Sequence, residues 1–261
     1  MIRIAFAGKG GSGKSSISGS FARLLAQRGR PVLAVDSDPL PGMAYSLGVP
    51  VVDSPTPDDV VVEGPEGGPK WILRPGLDAA GFVDTYSAVG PDNVRYMQFG
   101  NTWGHFQTLQ RGQHAWSQVV RELDPTAFNV VGDLPGGTRQ AMFGWAKYAD
   151  VLAIVAEPTA KSIHVARRLL NVTKADWAPT HVVVVANRVD DADDVARISD
   201  ALERPVIGEV PNDPAVTEAD KHALSPIDHR PGPFVDAVEQ LVTVVESTYD
   251  LDTQLATEGT S

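Results

Sequence analysis

The sequence predicts an α/β fold in which a mostly parallel central sheet is covered by helices on both faces. Apolar runs of strand length alternate along the chain with amphipathic segments of helical period, which is typical of βα units. A glycine-rich loop lies between the first apolar run and the first amphipathic segment. The chain has 261 residues, 43% of them hydrophobic, so it is long enough for one large domain with its own core.

The apolar runs indicate the strands, and apolar residues that recur every three or four positions indicate the helices. A buried first strand is predicted at residues 2–7, followed by a helix from Lys14 to about Arg28 that Gly29 ends. Further strands are predicted at residues 32–35, around Val130 and Val131, at 151–156 and at 181–186. Helical spacing recurs in three later groups: Ile163, Ala166, Leu169 and Leu170; Val195, Ile198 and Leu202; Phe234, Val238, Leu241, Val242 and Val245.

Only one stretch interrupts this alternation strongly. Residues 54–69 hold four prolines and three glycines, which predicts a loop or a hairpin connection rather than a linker between domains. We therefore assign one domain, residues 1–249, followed by an acidic and disordered tail, residues 250–261.

Composition excludes several classes of function. The 33 acidic and 22 basic residues give a formal charge of -11, which disfavours a nucleic-acid partner held through its phosphates. Cysteine is absent, so the chain has no disulfide, no thiolate nucleophile and no cysteine-ligated zinc or iron-sulfur cluster. No apolar run reaches the roughly 18 residues of a membrane span, and no secretory leader is visible. We expect a cytoplasmic protein.

Residues 8–15 fit the phosphate-loop pattern G-x-x-x-x-G-K-[ST], placed between a buried strand and a helix as its mechanism requires. The glycines let backbone N–H groups curl around phosphate oxygens, and the start of the helix adds its positive dipole end. Lys14 is predicted to bridge the β- and γ-phosphates, and the Ser15 hydroxyl to be a ligand of Mg²⁺. The predicted nucleotide-binding residues of this P-loop NTPase are Gly8, Gly10, Gly11, Ser12, Gly13, Lys14, Ser15 and Ser16.

Lys9 directly follows the first glycine of this loop. The resulting form Gly-Lys-Gly-Gly-x-Gly-Lys-Ser resembles the deviant phosphate loop of the MinD, ParA and nitrogenase iron protein group of ATPases. The resemblance implies that Lys9 reaches across a dimer interface to the other subunit's nucleotide. There it would neutralise charge on the transferring phosphoryl group, as an arginine finger does. An ATP-dependent homodimer is implied with it.

Three further stretches resemble this family in the correct order. Residues 35–39 resemble its switch I segment, which implies that Asp36 lies near the metal-bound water and that Asp38 positions the attacking water. Asp133 ends an apolar segment and precedes Leu-Pro-Gly-Gly, which resembles a Walker B carboxylate running into switch II. The implied magnesium set is Ser15, Asp36 and Asp133, and the implied catalytic set is Lys9, Lys14 and Asp38. Residues 157–163 resemble the family's turn into the helix at the dimer face, where Thr159 also suits a helix cap.

The base of the nucleotide is assigned to the ends of the last two strands. The resemblance implies that Asn187 hydrogen-bonds adenine and that the loop with Pro211, Asn212 and Asp213 supplies backbone contacts to it. Residues 187–190 read Asn-Arg-Val-Asp, which also approximates the N-K-x-D signature of GTPases. We favour ATP, because the deviant loop belongs to ATPases and because Asp190 would suit the start of an acidic helix.

Within the group the chain resembles the nickel-insertion ATPase of carbon monoxide dehydrogenase and the nitrogenase iron protein, at residues 132–137 and 157–159. Those relatives bind their metal through cysteines, which this chain lacks. His105 and His114 could bind a divalent metal across a two-fold axis, but a solvent-facing or hydrogen-bonded role is favoured for both. A membrane partner is disfavoured because the end of the chain is acidic.

These observations predict a Mg²⁺-dependent ATPase that acts as a nucleotide-gated dimeric switch. Its output would be the maturation or regulation of a partner protein or metalloenzyme, through an unidentified client or regulatory protein. The alternative is a ParA-like or MinD-like regulatory or positioning ATPase whose dimerisation is the output. A small-molecule kinase or a GTPase on the same scaffold is less favoured.

Overall fold

A computed structural model describes residues 1–38, 42–50, 58–68, 70–98, 111, 115–116, 118–138, 146–173, 179–229 and 231–249. Its strands are β1 Arg3–Gly8, β2 Val32–Asp36, β3 Val61–Glu63, β4 Trp71–Leu73, β5 Ala88–Val89, β6 Arg95–Gln98, β7 Asn129–Asp133, β8 Val151–Ala156, β9 His181–Val189 and β10 Val206–Pro211. Its helices are α1 Lys14–Gln27, α2 Met43–Leu47, α3 Ala79–Tyr86, α4 Ala160–Val172, α5 Ala192–Leu202, α6 Pro214–Lys221, α7 Pro226–His229 and α8 Pro233–Tyr249. Residues 118–122 are also helical.

The described strands form an eight-stranded sheet in the order β10-β9-β8-β1-β7-β2-β6-β5 and a separate β3-β4 pair. Strand β1 pairs in parallel with both β7 and β8, and within the eight described strands of this sheet only the edge strand β5 runs antiparallel to its neighbour. Phe6 is in register with Asp133, which is in register with Asp36, and Asp36 is in register with Gln98. The carboxyl ends of β1, β7, β2 and β6 therefore meet at one edge, where ligands bind in open α/β sheets.

Helices cover both faces of the sheet, so the central strands read as continuous apolar runs rather than as alternating ones. Successive side chains of β1 enter opposite cores, because the side chains of a strand alternate between its faces. One core contains Ile4 and Phe6 with Ile17, Phe21, Val238 and Leu241, and the other contains Ala5 and Ala7 with Leu152, Ile163, Leu169 and Ile198.

The α/β architecture predicted from the sequence is confirmed. The predicted strand at 151–156 coincides with β8, while β1 is shifted by one residue and β9 extends to Val189. Strands β5 and β6 and helices α2, α3 and α6 were not predicted. The stretch predicted as a loop or hairpin includes β3, which pairs antiparallel with β4. The predicted tail, residues 250–261, lies outside the described residues, and the division into one domain and a tail stays a prediction.

Within the described part of the chain, no helix combines the length and the apolar character needed to cross a membrane.

Candidate functional site

The phosphate-loop sequence lies in the turn between β1 and α1. Gly11 and Gly13 have φ angles of 78° and 85°, which glycine adopts without the strain of a Cβ. A Cβ on Gly8 would lie 2.5 Å from the carbonyl oxygen of Val155, and one on Gly13 would lie 2.2 Å from Nδ2 of Asn187. The glycines at these positions are therefore required by the fold. Lys14 begins α1 and is buried at 5% exposure.

Three consecutive carbonyls of this loop are each held by a side chain. The Lys9 ammonium donates to Gly10 O at 3.1 Å, the Arg188 guanidinium to Gly11 O at 3.0 Å, and the Asn187 amide to Ser12 O at 2.7 Å. The C=O of one residue and the N–H of the next point opposite ways across a trans peptide. Fixing these carbonyls therefore directs the N–H groups of Gly11 and Gly13 to the other side of the loop, as an anion-binding loop needs.

Asp133 ends β7 beside this loop and is 1% exposed. The Ser15 hydroxyl donates to its Oδ2 at 2.5 Å, while its Oδ1 is buried and has no hydrogen-bond partner among the described residues. Burial raises the pKa of Asp133 to about 6, against the lowering effect of the Lys14 charge and the Ser15 hydrogen bond. A buried carboxylate oxygen without a partner, next to a hydroxyl, is a donor set that suits Mg²⁺. The residues fit the ion that the sequence predicts.

Asp36 ends β2 and is fully buried. Its Oδ1 accepts from the Asp38 N–H at 2.9 Å and its Oδ2 from the Met43 N–H at 3.0 Å, so it ties the start of α2 to the site. Burial and the neighbouring charge of Asp133 raise the pKa of Asp36 well above its ordinary value. Asp38 follows the end of β2, and its N–H is hydrogen-bonded to Asp36. The Asp38 charge raises the pKa of both Asp36 and Asp133.

The segment after Asp133 packs directly on the phosphate loop. The Gly137 N–H donates to Gly8 O at 2.9 Å, and a Cβ on Gly136 would lie 2.8 Å from the Cα of Gly10. Backbone touches backbone here, which only glycine allows. A movement of the loop would therefore displace this segment.

A pocket lies beside the loop, at the ends of β9 and β10. It is lined by Gly13, Ser16, Asn187, Arg188, Pro211, Asn212, Asp213, Val216, Thr217 and Phe234. The structure thus brings together Ser16, Asn187 and the three residues predicted from the loop after the last strand. The Asp213 carboxylate accepts from Ala215 N and Phe234 N, at 2.9 Å and 3.2 Å, and so joins the starts of α6 and α8. Its side chain is committed to these caps, which leaves backbone groups for a ligand.

The Asn187 amide nitrogen donates to the phosphate loop at Ser12 O, and the contact of Asn187 with the base stays a prediction. Asp190 was expected to open the following helix, but Asp191 caps α5 by accepting from Asp194 N. Asp190 is exposed and is not among the residues that line the pocket.

Glu157 and Arg188 are charged residues of the site to which the sequence analysis assigned no role. The Arg188 guanidinium donates to Glu157 Oε1 at 2.6 Å as well as to the loop, and the Lys9 ammonium lies 3.7 Å from Glu157 Oε2. The Glu157 side chain is 10% exposed and that of Lys9 is 34% exposed. Glu157 precedes Thr159, which caps α4 as the sequence indicates, by accepting from Ser162 N at 3.3 Å. The positive φ of Arg188, 55°, gave no sequence signal because arginine rarely adopts it.

His105 and His114, considered as metal ligands from the sequence, lie outside the described residues.

Comparison with known proteins agrees with this geometry. The sequence profile of the CobQ/CobB/MinD/ParA nucleotide binding domain matches residues 4–227. The carbon monoxide dehydrogenase accessory protein CooC of Rhodospirillum rubrum is 26% identical over 243 residues, which cover 88% of this chain and 91% of CooC. The light-independent protochlorophyllide reductase iron-sulfur ATP-binding protein of Heliobacterium modesticaldum is 27% identical over 235 residues, 83% of this chain and 74% of that protein.

The fold is also that of solved structures. The septum site-determining protein MinD of Pyrococcus horikoshii, complexed with Mg-ADP, has a TM-score of 0.71 at 18% identity, over 97% of this chain and 98% of that chain. At this identity the likeness concerns the fold, which is that of a P-loop NTPase with a mostly parallel sheet.

Proposed function

Because the chain belongs to the CobQ/CobB/MinD/ParA family of nucleotide-binding domains, we propose that it is an ATP-gated homodimeric switch that acts on a partner protein. As a member of this family it is a P-loop ATPase whose cofactors are ATP and Mg²⁺. One observation carries the proposal: an anion-binding loop and buried polar atoms without partners meet at one edge of the sheet. In the described part of the chain these atoms include Ser12 Oγ and Asp133 Oδ1.

ATP is proposed to bind with its phosphates in the loop and its base in the adjacent pocket. The N–H groups of the loop and the start of α1 face the phosphates, and Lys14 bridges the β- and γ-phosphates. The base lies between Asn187 and the loop of Pro211, Asn212 and Asp213. The pocket favours adenine over guanine, because the carboxylate of Asp190 that would read guanine is exposed outside it.

Ser15, Asp36 and Asp133 are proposed to hold Mg²⁺, directly or through water. The ion would neutralise charge on the β- and γ-phosphates. Asp133 supports this role because its buried Oδ1 has no partner among the described residues. Asp36 supports it from one strand away, while its hydrogen bonds to Asp38 N and Met43 N hold the switch I segment and α2 close to the phosphates.

Hydrolysis is assigned to Asp38 and to Lys9 of the opposite subunit. Asp38 lies near both buried carboxylates and would orient the attacking water. The Lys9 ammonium lies on the side of the loop to which the carbonyls point, the outer side, next to Gly10 O and Glu157. The N–H groups that would face the phosphates point to the other side. From the outer side, and at 34% exposure, Lys9 is available to a second subunit's phosphates rather than to its own.

Nucleotide turnover would reach the surface through two packed segments. Residues after Asp133 touch the phosphate loop through Gly136 and Gly137, and α2 is tied to Asp36. Both would shift as the γ-phosphate leaves, so association would depend on the nucleotide state.

The client is proposed to be a protein, in the manner that the name of CooC indicates for that relative. Because this chain has no cysteine, a metal cargo could not be carried by thiolates of its own. The absence of cysteine supports a second candidate function, a MinD-like or ParA-like positioning ATPase whose dimerisation is the output. A partner that stimulates turnover would support the first candidate, and dimerisation that recruits a partner without stimulation would support the second.

The first experiment is phosphate release from ATP with no added acceptor, with Mg²⁺ or with EDTA. We expect release that needs Mg²⁺ and that is lost in Asp133→Ala. Phosphate transfer only after addition of a small-molecule acceptor would contradict the switch and favour a kinase.

A further inference from the structure

The outer face of the phosphate loop is held by two cations that share one carboxylate. Glu157 accepts from Arg188 through Oε1 at 2.6 Å and lies 3.7 Å from the Lys9 ammonium through Oε2. Both cations also hold loop carbonyls, at Gly11 and Gly10. The cluster therefore joins β8, β9 and the phosphate loop through charge as well as through hydrogen bonds.

The burial of Glu157 makes this sharing consequential. At 10% side-chain exposure the carboxylate would be costly to leave without a cation, because a buried charge that loses its partner is not resolvated. With Arg188 in place, Lys9 can leave while Glu157 stays paired. Without Arg188, the departure of Lys9 would strand the carboxylate.

We propose that Glu157 and Arg188 are positioning residues of an intramolecular latch that sets how readily Lys9 leaves its own subunit. This inference rests on the proposed function, in which Lys9 crosses to the partner's nucleotide. Glu157 holds Lys9 on its own loop in the separate subunit. Arg188 pairs with the other oxygen of the same carboxylate, so it lowers the cost of releasing Lys9 and keeps Glu157 neutralised afterwards.

The latch predicts changes of opposite sign from its two members. Glu157→Gln removes the hold on Lys9, while the amide oxygen of glutamine still accepts from Arg188, so ATP-driven association should become tighter. Arg188→Ala leaves Glu157 to Lys9 alone, so association should become weaker. A merely structural role would make both substitutions act in the same, weakening direction.

The test is sedimentation of the full-length chain at a series of protein concentrations with Mg²⁺ and the slowly hydrolysed analogue ATPγS. The analogue is kept at saturation for each variant, because Arg188 also supports the loop through Gly11 O. We expect the concentration of half-association to fall about five- to tenfold in Glu157→Gln and to rise about five- to tenfold in Arg188→Ala. Arg188→Lys should restore association to within about threefold of the wild type, because it keeps the charge that neutralises Glu157.

Arg74→Ala is the matched control, since the Arg74 side chain is 41% exposed and donates to a carboxylate, Asp59 Oδ2, at 2.9 Å in another part of the chain. Arg188→Gln replaces the alanine variant if the latter does not fold. Shifts of the same sign in both test variants, or no shift in either, would refute the latch. If the wild type associates with ATPγS in the same experiment, the proposed function stands despite that result. A wild type that stays unassociated with ATPγS would refute the proposed function and the latch together.

Discussion

In Asp133, stability and function conflict, because burial disfavours the charge that a carboxylate needs to bind a cation. It is buried, its Oδ1 has no partner among the described residues, and burial raises its pKa to about 6. Such a carboxyl destabilises the ligand-free fold when it is ionised, and it becomes useful when a cation is bound. The free energy of unfolding is therefore lower in the ligand-free protein, and binding of the nucleotide with its cation can raise it.

This conflict predicts how the stability of the ligand-free protein depends on pH. Between about pH 4 and pH 6 the folded carboxyl holds a proton that the unfolded one, with its ordinary pKa of 3.8, has released. The free energy of unfolding should therefore fall as the pH rises through this window. Asp133→Asn lacks the charge, so its stability advantage over the wild type should grow by about 1–3 kcal/mol from pH 4 to pH 7, as urea unfolding would measure. A difference that does not change with pH would contradict the raised pKa.

Lys14 supplies the second prediction. It is buried beside Asp133 at the start of α1, and no other described residue of the loop could replace its charge on the β- and γ-phosphates. Lys14→Ala should weaken binding of a fluorescent ATP analogue with Mg²⁺ by about a hundredfold or more. Lys161→Ala, an exposed lysine of α4, is the control and should bind normally. Unchanged affinity in Lys14→Ala would refute the phosphate-loop assignment.

The roles of single residues were only partly visible in the sequence. Lys14 and Ser15 were predicted from the phosphate-loop motif, because the same short segment must carry both the turn and the chemistry. Asp133 was predicted from its resemblance to the family's Walker B carboxylate. Glu157 and Arg188 were missed as a pair because they lie 31 positions apart and meet only when β8 and β9 pair. The hydrogen bond from the Asn187 amide to Ser12 O was also missed, because it joins residues 175 positions apart and no local pattern encodes it.

Among the structural elements, the turn from β1 into α1 is the one most tightly specified. Gly13 combines a φ of 85° with a close approach to Asn187, whereas a Cβ on Gly10 would meet nothing within 4 Å. Gly13→Ala should therefore lower the stability of the ligand-free protein by about 2–4 kcal/mol, from backbone strain and the lost Asn187 hydrogen bond. Gly10→Ala should change it by less than about 1 kcal/mol. Equal effects in denaturant unfolding would contradict the described loop geometry.

The ends of β9 and β10 supply a prediction on nucleotide choice. The pocket beside the loop includes Asn187 and the residues after β10, and Asp190 lies outside it. Unlabelled ATP should therefore displace a fluorescent nucleotide at least about tenfold more effectively than GTP, because guanine would find no carboxylate for its N1–H and N2–H groups. Equal or better competition by GTP would mean that Asp190 reads guanine.

The strands and helices around this turn were predicted where an apolar run was long and buried on both sides, as in β8. Strand β6 was missed because it is four residues long and contains Arg95 and Gln98, and its place is fixed by pairing with β2. Helix α2 has five residues, too few for a periodic pattern, and its start is fixed by the Asp36 carboxylate. In both cases the determinant is a tertiary contact rather than local propensity.

The molecule as a whole is proposed to alternate between separate subunits and an ATP-bound pair. The sequence pointed to this cycle through one residue, Lys9, and the structure places its ammonium on the outer side of the loop, against Glu157. The architecture could be predicted from the alternation of elements, whereas the assembly has to be measured.

Lys9 and Asp38 are assigned different tasks in this cycle, so their variants should separate. Lys9→Ala should bind ATP in the monomer nearly as the wild type does, but it should neither hydrolyse ATP nor associate, because the cation that crosses the interface is missing. Asp38→Ala should associate and remain associated, because the γ-phosphate persists without a group to orient the water.

The most direct measurement is size exclusion with light scattering of both variants and the wild type, in Mg-ATP and in Mg-ADP. We expect a dimer for Asp38→Ala in ATP, a monomer for Lys9→Ala in either nucleotide, and a monomeric wild type in ADP. If Asp38→Ala hydrolyses ATP normally, or if neither variant changes the balance of monomer and dimer, the protein is not a nucleotide-gated dimer, and hydrolysis within one subunit takes its place.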